Sequence, residues 1–256
     1  MMNDPADTME RLIECAQLLR REFKGYLHLK ILPGASVDQV KQATDLADRV
    51  SINLEAPASR LCELSSAKDP REIMSVIELL GELAPKRHVT QFVVGAADET
   101  DLEILELLNY CYREMLLSRA YFSAFQPERG TPLENKEPVD PLRGYRLYNV
   151  DHLLRGYGVG IEEIRAILDD DENLPREDPK VLIARNYFES PVNPNEASYS
   201  DLLRIPGIGP VTARRILKAR RKGRIESRRN LLELGVILRR ADPFIYGGQK
   251  TLTCYS

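Results

Sequence analysis

No apolar run in this 256-residue chain approaches the ~20 residues that a membrane-spanning helix needs, and its opening, MMNDPADTMERL, has no basic and apolar leader layout. A cytoplasmic chain with no membrane partner is therefore expected. Cysteine is scarce: Cys15, Cys62, Cys111 and Cys254 lie far apart, with no C-x-x-C and no histidine at ligand spacing. These are expected to be reduced thiols. Three of them fall in helical patterns, where a cysteine behaves as a small buried hydrophobe. No metal site is expected from such spacing. Histidine is scarcer still, and His28, His88 and His152 have no sequence-local Ser or Cys partner, so each reads as a strand or helix surface residue and no catalytic residue is nominated. The run Asp169-Asp170-Asp171-Glu172 lacks the spacing of a Ca²⁺ loop and reads as a solvated turn.

What the chain does have is an ordinary globular composition, 43% hydrophobic and 29% charged, at a length suited to one large domain and one small one. Its net charge of −3 conceals a strong asymmetry. Residues 201–240 carry twelve Lys or Arg against three Asp or Glu, while the remainder is acidic.

Helical periodicity begins after Asp7 and Thr8, with Met9, Leu12, Ile13, Ala16, Leu19 and Phe23 on one stripe. Strand patterns follow at 26–32, 49–55, 88–95 and 118–125. Between them lie helical patterns at 36–47, 58–66, 70–84 and 100–116, the last opened by a Thr100/Glu103 capping box. Four strands alternating with helices imply βαβ units and a parallel sheet, half of what a barrel needs. Alternation puts His28 with Lys30, Ser51 with Asn53 and Glu55, Gln91 with Val93 and Gly95, and Tyr121 with Ser123. Parallel strands are usually apolar on both faces, so a polar face suggests a ligand-lined interior, or else strand ends at a solvated edge. A Pro- and charge-rich loop, ERGTPLENKEPVDP, precedes helical patterns at 140–152, 160–168 and 179–188, and SPVNPNEASYS reads as a linker.

The basic end contains LLRIPGIGPVTARRILKARRKGRI at 202–225. Leu202, Leu203 and Ile205 before the turn and Val211, Ala213, Ile216 and Leu217 after it would pack two short helices together. The glycines between them would let the backbone turn and expose amide groups to phosphate, with Arg214, Arg215 and Lys218 nearby. This stretch resembles the helix-hairpin-helix DNA-binding motif through I-P-G-I-G-P-x-x-A. The resemblance nominates Pro206, Gly207, Ile208, Gly209, Val211, Arg214, Arg215 and Lys218 for contacts to DNA backbone phosphates, which carry no sequence information. A weaker copy follows, in which NLLELGV at 230–236 echoes DLLRIPGI at 201–208.

The chain as a whole resembles the C-terminal part of the radical S-adenosylmethionine proteins described as DNA modification or repair proteins. The resembling stretches are YLHLKILPGAS at 26–36, DRVSINLEAP at 48–57, TQFVVGAADETDLEIL at 90–105, AYFSAFQPERGTPLE at 120–134, YRLYNVDHLLRGYG at 145–158 and DPKVLIARNYFESPVNPNEA at 178–197. The resemblance implies an α/β fold, a partial parallel β/α barrel over 1–137, a helical connector over 138–192 and a small all-α helix-hairpin-helix domain over 193–256. It further implies S-adenosylmethionine beside Asn53, Glu55, Val93, Gly95 and an acidic position at Asp98 or Glu99. The family's [4Fe-4S] cluster is held on C-x-x-x-C-x-x-C, which this sequence does not contain. Three readings stay open: a portion of a radical enzyme separated from its cluster-bearing part, a non-catalytic DNA-binding protein, or a subunit whose barrel is completed by a separate cluster-bearing chain.

Overall fold

Proline and short polar side chains start most of the helices. A computed structural model describes residues 4–57, 59–61 and 69–246. In helix α1 (Pro5–Glu22) Pro5 occupies the first turn and the Asp4 carboxylate accepts the Ala6 amide at 2.9 Å. The helix therefore starts at Pro5, two residues before Asp7, because proline at the first helical position has no amide to leave unpaired. Helix α2 (Val37–Leu46) is capped by Ser36 with Gln39 returning the bond. Helix α3 (Pro70–Leu83) is capped by Asp69, and α4 (Asp101–Arg113) by the Thr100/Glu103 box read from the sequence. Each such cap is worth ~1 kcal/mol. Of the helical pattern at 58–66, residues 59–61 are helical and the rest lies outside the described residues.

Strands β1 (His28–Lys30), β2 (Arg49–Ser51), β3 (His88–Val94) and β4 (Arg119–Ala124) form one parallel sheet in the order β1-β2-β3-β4. Strands paired in sequence order with crossovers of the usual right hand place their connecting helices on one face. That face carries Leu29, Val50, Phe92, Val94, Ala120 and Phe122, all buried. The register brings the polar positions together on the opposite face: Lys30 beside Ser51, Gln91 beside Tyr121, Val93 beside Ser123.

All four strands are shorter than their sequence patterns, and β1 and β2, each short by four residues, are so for identifiable reasons. At the start of β1 the Leu27 amide donates to Asp48, which also holds Arg20, so a side chain replaces the ladder. After Ser51 the second strand leaves the ladder, and the Leu54 amide donates to Thr90 Oγ1 at 3.0 Å. It rejoins at Glu55, whose φ of 64° allows a bridge to Phe92. The Ala120 and Phe122 amides of β4 donate to the Tyr112 and Tyr148 hydroxyls, which satisfies groups that an edge strand would leave open.

His88 is fully buried rather than a surface residue, with its Nδ1 3.1 Å from the Ala84 carbonyl, and burial lowers its pKa. Cys111 is buried, and burial pushes its thiol up to about 12, whereas Cys15 is exposed on α1 instead of buried. Cys62 and Cys254 lie outside the described residues. No helix among the described residues is long and apolar enough to cross a membrane.

The chain divides into two units, one up to Tyr148 and one from Asn149. The division falls within α5 (Pro141–Gly156), and the second unit continues with α6 (Ile161–Arg165) and α7 (Pro179–Tyr187). Residues 169–173 form an exposed turn in which Asp169 accepts the Asp171 and Asn173 amides.

A close approach inside the larger unit is testable. A Cβ at Gly81 in α3 would sit 2.8 Å from the Met115 carbonyl oxygen, so Gly81→Ala is predicted to cost ~1–3 kcal/mol from overpacking, more than the ~1 kcal/mol that helix propensity returns. Thermal unfolding followed by circular dichroism should show a lower midpoint; a midpoint at or above that of the parent chain would refute the packing argument.

Candidate nucleic-acid interface

The basic end folds as two helical hairpins packed on each other. Helix α8 (Tyr199–Arg204) opens with a reciprocal Ser198/Asp201 cap, and α9 (Pro210–Arg220) starts at Gly209 with proline in its first turn. Leu202, Leu203, Ile205, Ile208, Ala213 and Ile216 are buried between them. Of the two glycines in the turn, Gly207 has φ +85° and Gly209 φ −106°. Only the first needs the left-handed region that glycine tolerates.

Four carbonyls of the turn are hydrogen-bonded within the smaller unit. Ile205 O accepts the Ile208 amide at 3.2 Å, Gly207 O the Ile237 amide at 3.1 Å, and Gly209 O the Ala213 amide at 2.8 Å. Ile208 O accepts Lys180 Nζ at 2.6 Å. The acceptors are thus satisfied within the unit, while Gly209 supplies no side chain to the first-turn amides of α9. Those of Val211 and Thr212 have no acceptor among the described residues and stand at the positive end of the helix dipole.

The echo at 230–236 is a second hairpin. Helix α10 (Arg228–Glu233) leads through Gly235, at φ +95°, to α11 (Leu238–Ala241), and a 3₁₀ turn (Asp242–Phe244) follows. The hairpins dock reciprocally: Gly207 O accepts Ile237 N–H, and Gly235 O accepts Thr212 Oγ1–H at 3.2 Å. Leu231, Val236, Leu238 and Phe244 complete the shared core. A short parallel bridge between Val192 and Ile245 ties the linker to the end of the unit.

Cations divide into two populations. Arg204 is 8% exposed and holds Glu163 through two 2.6 Å bonds while lying over the Tyr187 ring. Burial works to raise the Glu163 pKa, but the Arg204 hydrogen bonds and the Gly160 amide outweigh it and leave it lowered. Arg220 donates to the Pro194 and Ala197 carbonyls, and Arg240 pairs with Asp178. By contrast, Arg214, Arg215, Lys218, Arg221, Lys222 and Arg224 are exposed or nearly so and form no ion pair among the described residues.

The nominated DNA contacts separate accordingly. Pro206 and Ile208 are buried, Gly207 and Gly209 half-buried, and Val211, Arg214, Arg215 and Lys218 exposed beside the free amides. Thr212, Tyr157 and Lys180 also adjoin the turn, and no local pattern marks them.

In the larger unit, the nominated cofactor positions meet at the ends of β2 and β3. Asn53 Nδ2 donates to Glu55 Oε1 at 3.3 Å, and Glu55 O accepts the Val93 amide at 2.7 Å. Gly95, at φ +80°, turns the chain where a side chain would run into Val139 and Arg143. Glu99 is buried, and its two carboxylate oxygens accept the Gly95 and Ala97 amides. Asp98 is exposed and pairs with Lys136 at 2.8 Å. Among the described residues no group of His, Cys, Asp or Glu is arranged to hold a metal ion.

The two glycines of the first turn should not be equivalent. A Cβ at Gly207 would lie 2.5 Å from the Ile237 carbonyl oxygen, whereas one at Gly209 would meet only the Tyr157 hydroxyl, at 3.3 Å. Gly207→Ala is predicted to destabilise by ~2 kcal/mol or more, combining left-handed strain with the clash, and Gly209→Ala by under ~1 kcal/mol. Chemical denaturation of both variants measures this; equal midpoints would contradict it.

Residues 188–237 match the family model described as the helix-hairpin-helix motif. No curated protein matches the chain. The matched segment includes both glycine turns, and the motif points to DNA binding without sequence preference.

Proposed function

We propose that this protein binds duplex DNA through backbone phosphates, using the first hairpin turn as the anion site and the surrounding unpaired cations as its electrostatic footprint. The observation that carries the reading is the polar accounting of the turn: the carbonyls of Ile205, Gly207, Ile208 and Gly209 are hydrogen-bonded within the unit, while the Val211 and Thr212 amides of α9 have no acceptor among the described residues and are followed by the exposed Arg214, Arg215 and Lys218. A protein-docking module would have no need for unsatisfied donors beside so many free cations. Phosphate contacts predict similar affinity for duplexes of unrelated sequence and a steep fall with salt, with a slope of about −0.9 for each phosphate neutralised. Fluorescence anisotropy should show Arg214→Glu weakening binding about tenfold or more and flattening the salt slope. Sequence-dependent affinity, or a slope unchanged by the charge reversal, would refute backbone binding.

For the larger unit we propose a segment of a β/α barrel of the radical S-adenosylmethionine type, which would make the protein the DNA-directed portion of a modification or repair enzyme. Support comes from the sequential parallel strand order and from the polar face on which Asn53 and Glu55 meet. Hydroxyl and ammonium groups of S-adenosylmethionine would suit that pair, with Val93 and Gly95 as neighbouring backbone. Glu99 would act by shaping the 95–97 loop, since its oxygens are already engaged. The cluster does not fit these residues: the four scattered cysteines contain no C-x-x-x-C-x-x-C, so radical chemistry would require cluster ligands from outside this sequence. Isothermal titration with S-adenosylmethionine tests the cofactor assignment. Binding that Glu55→Ala weakens at least severalfold is expected, and absence of binding to the intact chain would sink it.

A further inference from the structure

We infer that Lys180, on α7 and outside the matched motif, is a positioning residue that holds the Ile208–Gly209 peptide of the hairpin turn and lends its charge to a bound phosphate. The inference rests on the DNA-backbone reading above and extends it to residues that the motif does not contain.

The carbonyl of Ile208 and the amide of Gly209 belong to one rigid unit and point in opposite directions. Lys180 Nζ donates to that carbonyl at 2.6 Å, so fixing the oxygen also fixes the Gly209 N–H, which points away from Lys180 next to the α9 helix start that no side chain caps. A charged donor on the carbonyl also polarises the peptide and strengthens the amide as a donor. Lys180 is held in place by the Tyr157 ring, whose centroid is 4.5 Å from Nζ. The same tyrosine brings its hydroxyl beside Gly209, 3.3 Å from where a Cβ would stand.

The charges around Lys180 are Arg240 on α11 and Asp178 at the start of α7, which pair with each other; Tyr199 on α8 lies near Tyr157. Burial, followed by Arg240, lowers the Lys180 pKa to about 7, and Asp178 only partly opposes them. Near neutral pH the amine is therefore poised between its charged and uncharged forms. A phosphate bound at the turn favours the charged form, so DNA binding takes up a proton. The sign follows. Below about pH 7 Lys180 is protonated with or without DNA and contributes no pH dependence. Above it, affinity falls, by about tenfold in total for each unit by which the phosphate raises the pKa. Fold stability moves the other way, because the depressed folded-state pKa makes the unfolded chain bind more protons between about 7 and the ordinary 10.5.

Two measurements on the intact chain test this. The first follows the Gly209 amide by ¹⁵N–¹H NMR without DNA from about pH 6 to about pH 9, the window set by linkage. A shift with its midpoint near 7, absent in Lys180→Met, is expected; a Gly209 signal insensitive to pH, or one titrating equally in the variant, overturns the positioning role. The second measures anisotropy with a short duplex of scrambled sequence over the same range. Parent affinity should fall with pH, Lys180→Met should be weaker at the acid end with a flatter profile, and Lys180→Arg should keep its affinity at the alkaline end. Identical profiles for parent and Lys180→Met overturn the charge contribution. If the parent binds no duplex even at low salt, the DNA reading fails and the phosphate part of this inference falls with it, while the NMR result still decides whether Lys180 sets the turn.

Discussion

At Gly207 the backbone must run left-handed and at the same time come within hydrogen-bonding distance of Ile237, and both requirements exclude a Cβ. Most of the smaller unit depends on that constraint. Because Gly207 O accepts from the second hairpin, the two hairpins share a core that neither α8 nor α10, at six residues each, could build alone. Within the turn the Ile208 amide is spent on the Ile205 carbonyl and Pro206 and Pro210 carry no N–H, so the amides of Val211 and Thr212, at the start of α9, are the ones that form no hydrogen bond among the described residues.

Charge is sorted by the same fold. Composition counts twelve cations between 201 and 240, but they do not perform one task. Arg204 is a tie inside the unit, and removing it would leave Glu163 half-buried without its partner, a loss of the kind that costs a few kcal/mol. Arg220 and Arg240 anchor the linker and the start of α7. Arg228 pairs with Asp242 and Arg229 with Glu233, so Arg214, Arg215, Lys218, Arg221, Lys222 and Arg224, clustered on α9 and just beyond it, are the main group available to a polyanion. Long-range attraction to DNA comes from these, whereas the placement of a phosphate comes from backbone donors.

In the larger unit, side chains repeatedly substitute for the sheet's own ladder. Asp48 takes the Leu27 amide, Thr90 takes the Leu54 amide, and two tyrosine hydroxyls accept from β4. The second of these departures displays Asn53 and Glu55 at the strand ends, because the chain swings out after Ser51 and returns at Glu55. Glu99 illustrates the limit of carrying a role over from a resemblance. An acidic residue stands close to the expected position, yet its oxygens are committed to the loop that it shapes.

Periodicity and local chemistry were sufficient for the alternating elements, the polar face of the strands, the Thr100/Glu103 cap and both glycine turns, because each depends on residues within a few positions of one another. Strand ends were not readable: the bonds that truncate β1 and β2 come from Asp48 and Thr90, the latter 36 residues from the amide it accepts. Nor could the sequence separate Arg204 from Arg214, since both are arginines in short amphipathic helices and only packing against Glu163 and Tyr187 buries the first. Gly207 and Gly209 look alike as letters, but only the docking of the second hairpin makes one indispensable. Lys180 is the clearest case. Nothing near it in the chain connects it to the turn, and its place under the Ile208 carbonyl is decided by how α7 packs within the smaller unit, where low local dielectric and neighbouring charge give an otherwise ordinary lysine its properties.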